Sequence, residues 1–257
     1  MADWNPLLYL KFSGERTRPA EDLAGSLPLR APARVLDIGC GPGNSTAVLS
    51  RRFPAAELLG VDASPAMVRQ AQAAFPQWQF RVCTLPEGLR ALDGGWDVVF
   101  SNACLQWVPG HRQLIPALFG LLSQGGVLAV QVPRQDRQPV HRLLKQLALS
   151  PRWRGKIRRP RAFYNLAPKE YFILLGGLTP EFRMWETTYY QTMESHAAML
   201  DWYRSTGLRP YLAQLCPTDA RLFEADVLAG LRRLYPSGAG GQILFPFPRL
   251  FFTAVKH

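Results

Sequence analysis

A chain of 257 residues with 47% hydrophobic content can bury one substantial core plus an appendage, and its 30 Lys plus Arg against 19 Asp plus Glu leave a net charge of +11 that favours an anionic partner. The four cysteines, Cys40, Cys83, Cys104 and Cys216, and the four histidines, His111, His141, His196 and His257, lack metal-ligand spacing, so no metal is expected and the thiols point to a reduced, cytoplasmic home. No charged-then-apolar signal organisation surrounds Asp3, and the longest uncharged stretch, Gln113 to Pro133, is interrupted by Pro116 and by Ser123-Gln124-Gly125-Gly126, so neither an export signal nor a membrane span is expected.

The first predicted strand covers 34 to 38, where Val35, Leu36 and Ile38 suit a buried parallel strand and Asp37 is its one acid. It breaks into Gly39-Cys40-Gly41-Pro42-Gly43, and Asn44-Ser45-Thr46 supply helix-start chemistry for a helix over 45 to 52. Such a strand-to-helix turn is where doubly wound α/β proteins hold nucleotide-like ligands; the plain alternative is a tight turn and nothing more. A dinucleotide fingerprint would need a third glycine where Asn44 stands, and a P-loop lysine and hydroxyl pair is missing. Asp37 would repel a pyrophosphate and attract a cation.

The second predicted strand, 57 to 61, runs into Asp62, 19 residues past Gly43, a spacing that fits a carboxylate accepting from both ribose hydroxyls. Ser64-Pro65 reads as N-cap and first residue of a helix over 65 to 74, in which Met67 is placed either against a base or in the core. Strands follow at 78 to 82, 96 to 101 and 127 to 132, with a helix over 112 to 122, and this alternation implies a parallel sheet. Beyond Pro133 come helical stretches at 137 to 149 and 168 to 176, a strand-like run from Phe182 to Tyr190, a helical block over 195 to 235 and a closing β-rich run, 250 to 255.

The acid-x-Gly-x-Gly-x-Gly pattern from Asp37 to Gly43 resembles the first motif of class I S-adenosylmethionine-dependent methyltransferases. Ser101-Asn102-Ala103-Cys104-Leu105-Gln106-Trp107 narrows the resemblance, together with Asp3-Trp4-Asn5-Pro6, Tyr9, Phe12, Arg16 and Arg18-Pro19. With Thr187-Thr188-Tyr189-Tyr190, Thr206-Gly207-Leu208-Arg209-Pro210 and Pro248-Arg249-Leu250-Phe251, the chain resembles the trans-aconitate 2-methyltransferase family nearly end to end. The resemblance implies an α/β, Rossmann-like class I methyltransferase sheet with helical lid insertions: a single domain, 1–257, with a core over 30–133 and lid contributions from 1–25, 134–180 and 194–240. It implies S-adenosyl-L-methionine as cofactor and methyl transfer to a carboxylate of a small polycarboxylic acid such as trans-aconitate, giving a monomethyl ester and S-adenosylhomocysteine.

By the same resemblance Asp37, Gly39, Gly41, Gly43 and Asp62 hold the cofactor, Ala63, Met67, Thr84, Leu85 and Asn102 complete its pocket, and Tyr9 and Arg18 close over the methionyl carboxylate. Many relatives carry an acid for the adenine amino group where this chain has Cys83-Thr84-Leu85, so backbone groups or the Thr84 hydroxyl must substitute. Arg209, Tyr190 and Arg249 are the candidates for substrate carboxylates, with Gln106 and Trp107 shaping the cavity; each has a plain structural alternative. A carboxylate is already ionised near neutral pH, so no catalytic acid or base is expected, only orientation and desolvation. The basic run Arg152, Arg154, Lys156, Arg158, Arg159 and Arg161 departs from the family; a solvated loop is its expected role, and nucleic-acid binding is the alternative. Methylation of RNA or another macromolecule, and non-catalytic binding of S-adenosylmethionine, are the competing functions.

Overall fold

In the computed structural model, which describes residues 13–158, 162–204 and 207–257 with side chains from residue 17 onward, strands and helices alternate as the apolar periodicity requires. In chain order the elements are α1 (Ser13–Gly25), β1 (Arg34–Ile38), α2 (Asn44–Arg52), β2 (Glu57–Asp62), α3 (Pro65–Ala74), β3 (Gln79–Val82), β4 (Trp96–Asn102), α4 (His111–Gly120) and β5 (Leu122–Pro133). They continue with α5 (Pro139–Leu149), α6 (Pro168–Gly176), β6 (Phe182–Met193), α7 (His196–Arg204), α8 (Arg209–Leu212), α9 (Pro217–Leu234) and β7 (Ile243–Val255). The seven strands form one sheet in the order β3-β2-β1-β4-β5-β7-β6. The first five are parallel and β7 runs antiparallel to β5, which gives the mixed sheet of the Rossmann-like methyltransferase fold.

The chain divides into two compact units. The one carrying the core of the sheet draws on the chain up to Pro133, on Phe163–Thr187 and on Arg249–His257; the other comprises Arg134–Ala162 and Thr188–Pro248. In the first unit the register sorts side chains between the faces of the sheet, because directly paired residues point the same way. Leu36, Ile38, Val99, Leu128, Val130 and Phe252 face one side, where Leu114, Ile115 and Leu118 of α4 and Tyr171 and Leu175 of α6 cover them. Asp37 points to the opposite face, level with Gly60 and Phe100. One pair of residues further along that face, at the carboxyl ends of the strands, come Asn102, Gln131 and Phe251, side by side. The sheet thus lines up its few polar inward residues at the edge where open α/β sheets bind ligands.

The second unit is held by aromatic packing. Trp153 meets Phe223 edge-on at 5.3 Å, Tyr211 stacks on Phe223 at 5.9 Å, and Phe245 touches Tyr203, Tyr235 and Phe247. Here α9 approaches α5 closely enough that a Cβ at Gly230 would lie 2.4 Å from the Leu143 side chain. A larger residue there would require the Leu143 side chain to shift.

Candidate active site

The turn after β1 is tied to β2 before any ligand is considered. Gly39 N and Cys40 N both donate to the Val61 carbonyl, at 2.7 and 3.0 Å. Asp62, at the end of β2, accepts from Gly41 N through one carboxylate oxygen at 3.0 Å and from Ser64 N through the other at 2.8 Å. Gly39 is needed for two reasons: its φ is +74°, and a Cβ there would lie 2.2 Å from the Cys104 Sγ. The turn therefore packs directly on the loop that follows β4. Ser64 caps α3 as its sequence demands, accepting from Met67 N, with Pro65 first in the helix.

The start of α2 differs from expectation. Gly43, left-handed with φ 95°, occupies the N-cap and no side chain caps the helix. The Ser45 and Thr46 hydroxyls instead donate to the same Asp37 oxygen, at 2.6 and 2.7 Å. They do so because Asp37 is only 1% exposed, and a buried carboxylate must be hydrogen-bonded. The other oxygen, Oδ1, has no partner among the described residues. Burial is the largest influence on this group and raises its pKa to about 6; the two hydroxyls oppose the rise and the neighbouring Asp62 adds to it. Burial likewise raises Asp62, against the pull of its two backbone donors.

The polypeptide after β4 forms the next wall. Ala103 is left-handed at φ 53°, a conformation a residue with a Cβ takes up only when its surroundings hold it there. Its N–H donates to the Gln131 carbonyl at 3.0 Å, and its own carbonyl accepts from Gln106 Nε2 at 2.6 Å. Asn102 is half-buried and Gln106 buried, and Asn102 Oδ1 and Gln106 Oε1 have no partner among the described residues. Trp107 leans on Phe163 at 5.0 Å. Below them lies buried His111. Its Nε2 faces the Leu105 carbonyl at 2.8 Å, which can only accept, so the proton sits on Nε2 and Nδ1 accepts from the Tyr171 hydroxyl. Burial lowers the His111 pKa, which keeps the ring neutral and that tautomer intact.

The remaining predicted residues fall in several places. In the sheet unit, Arg18 is exposed on α1, Ala63 is exposed beside Asp62, and Met67 is buried. Exposed Thr84 lines a cavity of about 260 Å³ with Cys83, Glu87 and Gly88, while Leu85 is half-buried. Arg249 is 5% exposed and pairs with Pro133 at the end of β5. In the second unit, Tyr190 is 67% exposed and Arg209 is half-buried at the start of α8. Tyr9 lies outside the described residues. Sequence reasoning missed Ser45 and Thr46 as partners of Asp37, Ala103, the His111–Tyr171 pair, and Gln131. The last had a visible signal, since it is the one polar residue between Val127 and Val132.

Two cations of the basic run are paired within its own unit. Arg152 and Lys156 pair with Asp226 and Asp219 of α9, and Trp153, between them and 1% exposed, donates its Nε1–H to Asp226 at 2.8 Å. Arg154 and Arg158 are exposed; Arg159 and Arg161 lie outside the described residues. All four cysteines are free. Among the described residues no helix is long and apolar enough to cross a membrane.

An elongated cation fits these residues. A buried carboxylate oxygen with no partner among the described residues calls for a donor, a second carboxylate stands at the end of the adjacent strand, and between them the chain passes as glycine-rich backbone. The fold and this turn define a class I methyltransferase. The family described as "Methyltransferase domain" matches residues 35–126. The chain is 43% identical over 260 residues to the trans-aconitate 2-methyltransferase of Methylobacterium radiotolerans, covering 100% of this chain and 99% of that one. To the enzyme of the same name from Escherichia coli it is 43% identical over 256 residues, 99% of this chain and 98% of that one. Among solved structures, the YcgJ protein of Bacillus subtilis superposes with a TM-score of 0.62 at 16% identity, covering 93% of this chain and 99% of that one, which speaks for the fold alone. The chain belongs to the trans-aconitate 2-methyltransferase family.

Proposed function

We propose that this protein transfers a methyl group from S-adenosyl-L-methionine to a carboxylate of trans-aconitate, forming a monomethyl ester. The observation that carries the reading is the buried Asp37, ionisable, with one oxygen that has no partner among the described residues at the mouth of the glycine turn, in a chain with full-length similarity to the trans-aconitate enzymes. When bound, the cofactor supplies an electrophilic methyl on a positively charged sulfur. Asp37 would receive its ammonium group, Asp62 its ribose hydroxyls, and the turn from Gly39 to Gly43 would lie along it as backbone. Met67, Ala63, Thr84, Leu85 and Asn102 would line the rest of the pocket, with Arg18 and Tyr9 at the methionyl carboxylate.

Arg209, Tyr190 and Arg249 are assigned to the substrate's carboxylates, for which a planar guanidinium is well matched, and Gln106 and Trp107 to the shape of the cavity. The helical segments within 134–180 and 194–240 take the part of a lid that excludes water, and with 1–25 they complete one functional domain. The acid is already a nucleophile, so alignment and loss of its hydration shell do the work that a base does elsewhere. Four free thiols suit a cytoplasmic enzyme. Incubating the protein with labelled S-adenosylmethionine and trans-aconitate should yield labelled ester and S-adenosylhomocysteine in equal amounts by mass spectrometry. Label in RNA, or binding without turnover of any polycarboxylate, would replace this reading.

A further inference from the structure

Gln131 sits in the middle of the sheet with 0% exposure, and neither atom of its side-chain amide has a partner among the described residues. Only its backbone is used, the carbonyl accepting from Ala103 N. Desolvating an amide and leaving it unpaired costs about 1–3 kcal/mol for each group, enough to make an apolar residue the better choice if stability alone were served. Its place in the sheet shows what it could serve. The register sets it beside Asn102 on β4 and Phe251 on β7, on the face of Asp37, at the carboxyl edge. On one side Phe251 stacks with Trp185 at 5.1 Å, an apolar wall; on the other Asn102 Oδ1 and, in the following loop, Gln106 Oε1 likewise have no partner among the described residues. Of Asp37, Asn102, Gln106 and Gln131, only Gln131 has a buried donor without a partner among the described residues.

We propose that Gln131 is a substrate-positioning residue whose side-chain Nε2 donates a hydrogen bond to the carboxylate that receives the methyl group. The assignment rests on the carboxyl-methyltransferase reading. Strand order supports it: the cofactor candidates occupy β2, β1 and the end of β4, and β5 is the next strand across, about 10 Å from β1 at ordinary strand spacing. A neutral donor is also the right kind. The attacking carboxylate loses negative charge as its oxygen bonds to carbon, so a cation gripping it would hold the ground state more firmly than the transition state. An amide orients the oxygen with less of that penalty, while arginines hold the carboxylates that do not react.

Three measurements on purified enzyme test this. Gln131→Met keeps the volume and removes the donor, and KM for trans-aconitate should rise or kcat fall by about 10- to 100-fold, the range of a hydrogen bond to a charged group. The dissociation constant for S-adenosylmethionine, read by calorimetry, should stay within about twofold, and the melting temperature should not drop, because two unpaired polar atoms have been removed. Gln131→Glu sets carboxylate against carboxylate; its activity should be poorer than that of Gln131→Met at neutral pH and, measured relative to wild type at the same pH and saturating cofactor, recover as pH is lowered and the new acid is protonated into a donor. Wild-type turnover with Gln131→Met unchanged overturns the assignment and leaves the reaction standing, as does a variant that loses cofactor affinity alone or simply melts earlier with all constants falling together. A wild-type enzyme that turns over no polycarboxylate overturns the reaction, and the assignment with it.

Discussion

Asp37 shows how a buried carboxyl is kept at the expense of the fold. Its carboxyl is displaced from 3.8 to about 6, chiefly by burial, and about two pKa units correspond to about 3 kcal/mol. Because the folded value lies above the unfolded one, this group favours the folded state fully below about pH 4, and that contribution fades as pH rises through about 6. In the ligand-free protein, the urea-unfolding free energy of wild type relative to Asp37→Asn should therefore decline by about 3 kcal/mol between pH 4 and 7. Binding a cation reverses the linkage, since the ionised carboxylate is the form that receives it. Affinity for S-adenosylmethionine should strengthen from pH 5 to 7, and calorimetry in buffers of different ionisation enthalpy should register proton release at about pH 6. Affinity independent of pH over that range would show that Asp37 does not meet the cofactor's charge.

At the scale of elements, the site exists because two loops interlock: the turn after β1 presses on the loop after β4 through Gly39 and Cys104. A methyl at position 39 would lie 2.2 Å from the Cys104 Sγ and 2.3 Å from its Cβ, in a left-handed conformation. Gly39→Ala should destabilise the protein by about 2–4 kcal/mol, combining the backbone penalty with overpacking. Since the Cβ is as close as the sulfur, Cys104→Ala should not rescue the variant, whereas Cys104→Gly should restore part of the loss in urea denaturation. Much of this level was legible in the sequence. Helix 65 to 74 and strand 34 to 38 stand where apolar spacing and capping put them. Strand β7 was not, beginning at Ile243 where 250 was expected, because Pro246 and Pro248 are poor residues for a paired strand. The block over 195 to 235 resolves into α7, α8 and α9, with Pro210 and Pro217 each in the first turn of a new helix. Ser45 and Thr46 were visible as polar residues at a helix start; that they serve Asp37 depended on contacts eight and nine residues back, which no local pattern encodes.

Across the whole molecule, the charge of +11 raises the question of whether the protein has a nucleic-acid surface. Within the stretch from Arg152 to Lys156 two of the three cations are used against α9 and Arg154 is exposed: Trp153 is the buried element, Arg152 and Lys156 lie over its ring at 4.9 and 5.7 Å, and both are paired with acids. Those two cations, occupied in this way, are poorly placed to track phosphates. The arrangement predicts an inverted order of importance. Arg152, half exposed, should contribute less than about 1 kcal/mol to stability, because solvent screens its pair with Asp226. Trp153→Ala should cost about 3–5 kcal/mol, because it empties the space against Phe223 and strips Asp226 of its indole donor. Chemical denaturation of Arg152→Ala and Trp153→Ala would measure both, with RNA retention at low salt as the control. Should Arg152→Ala abolish retention of RNA while leaving stability intact, the run would be a binding surface and not a clasp on α9.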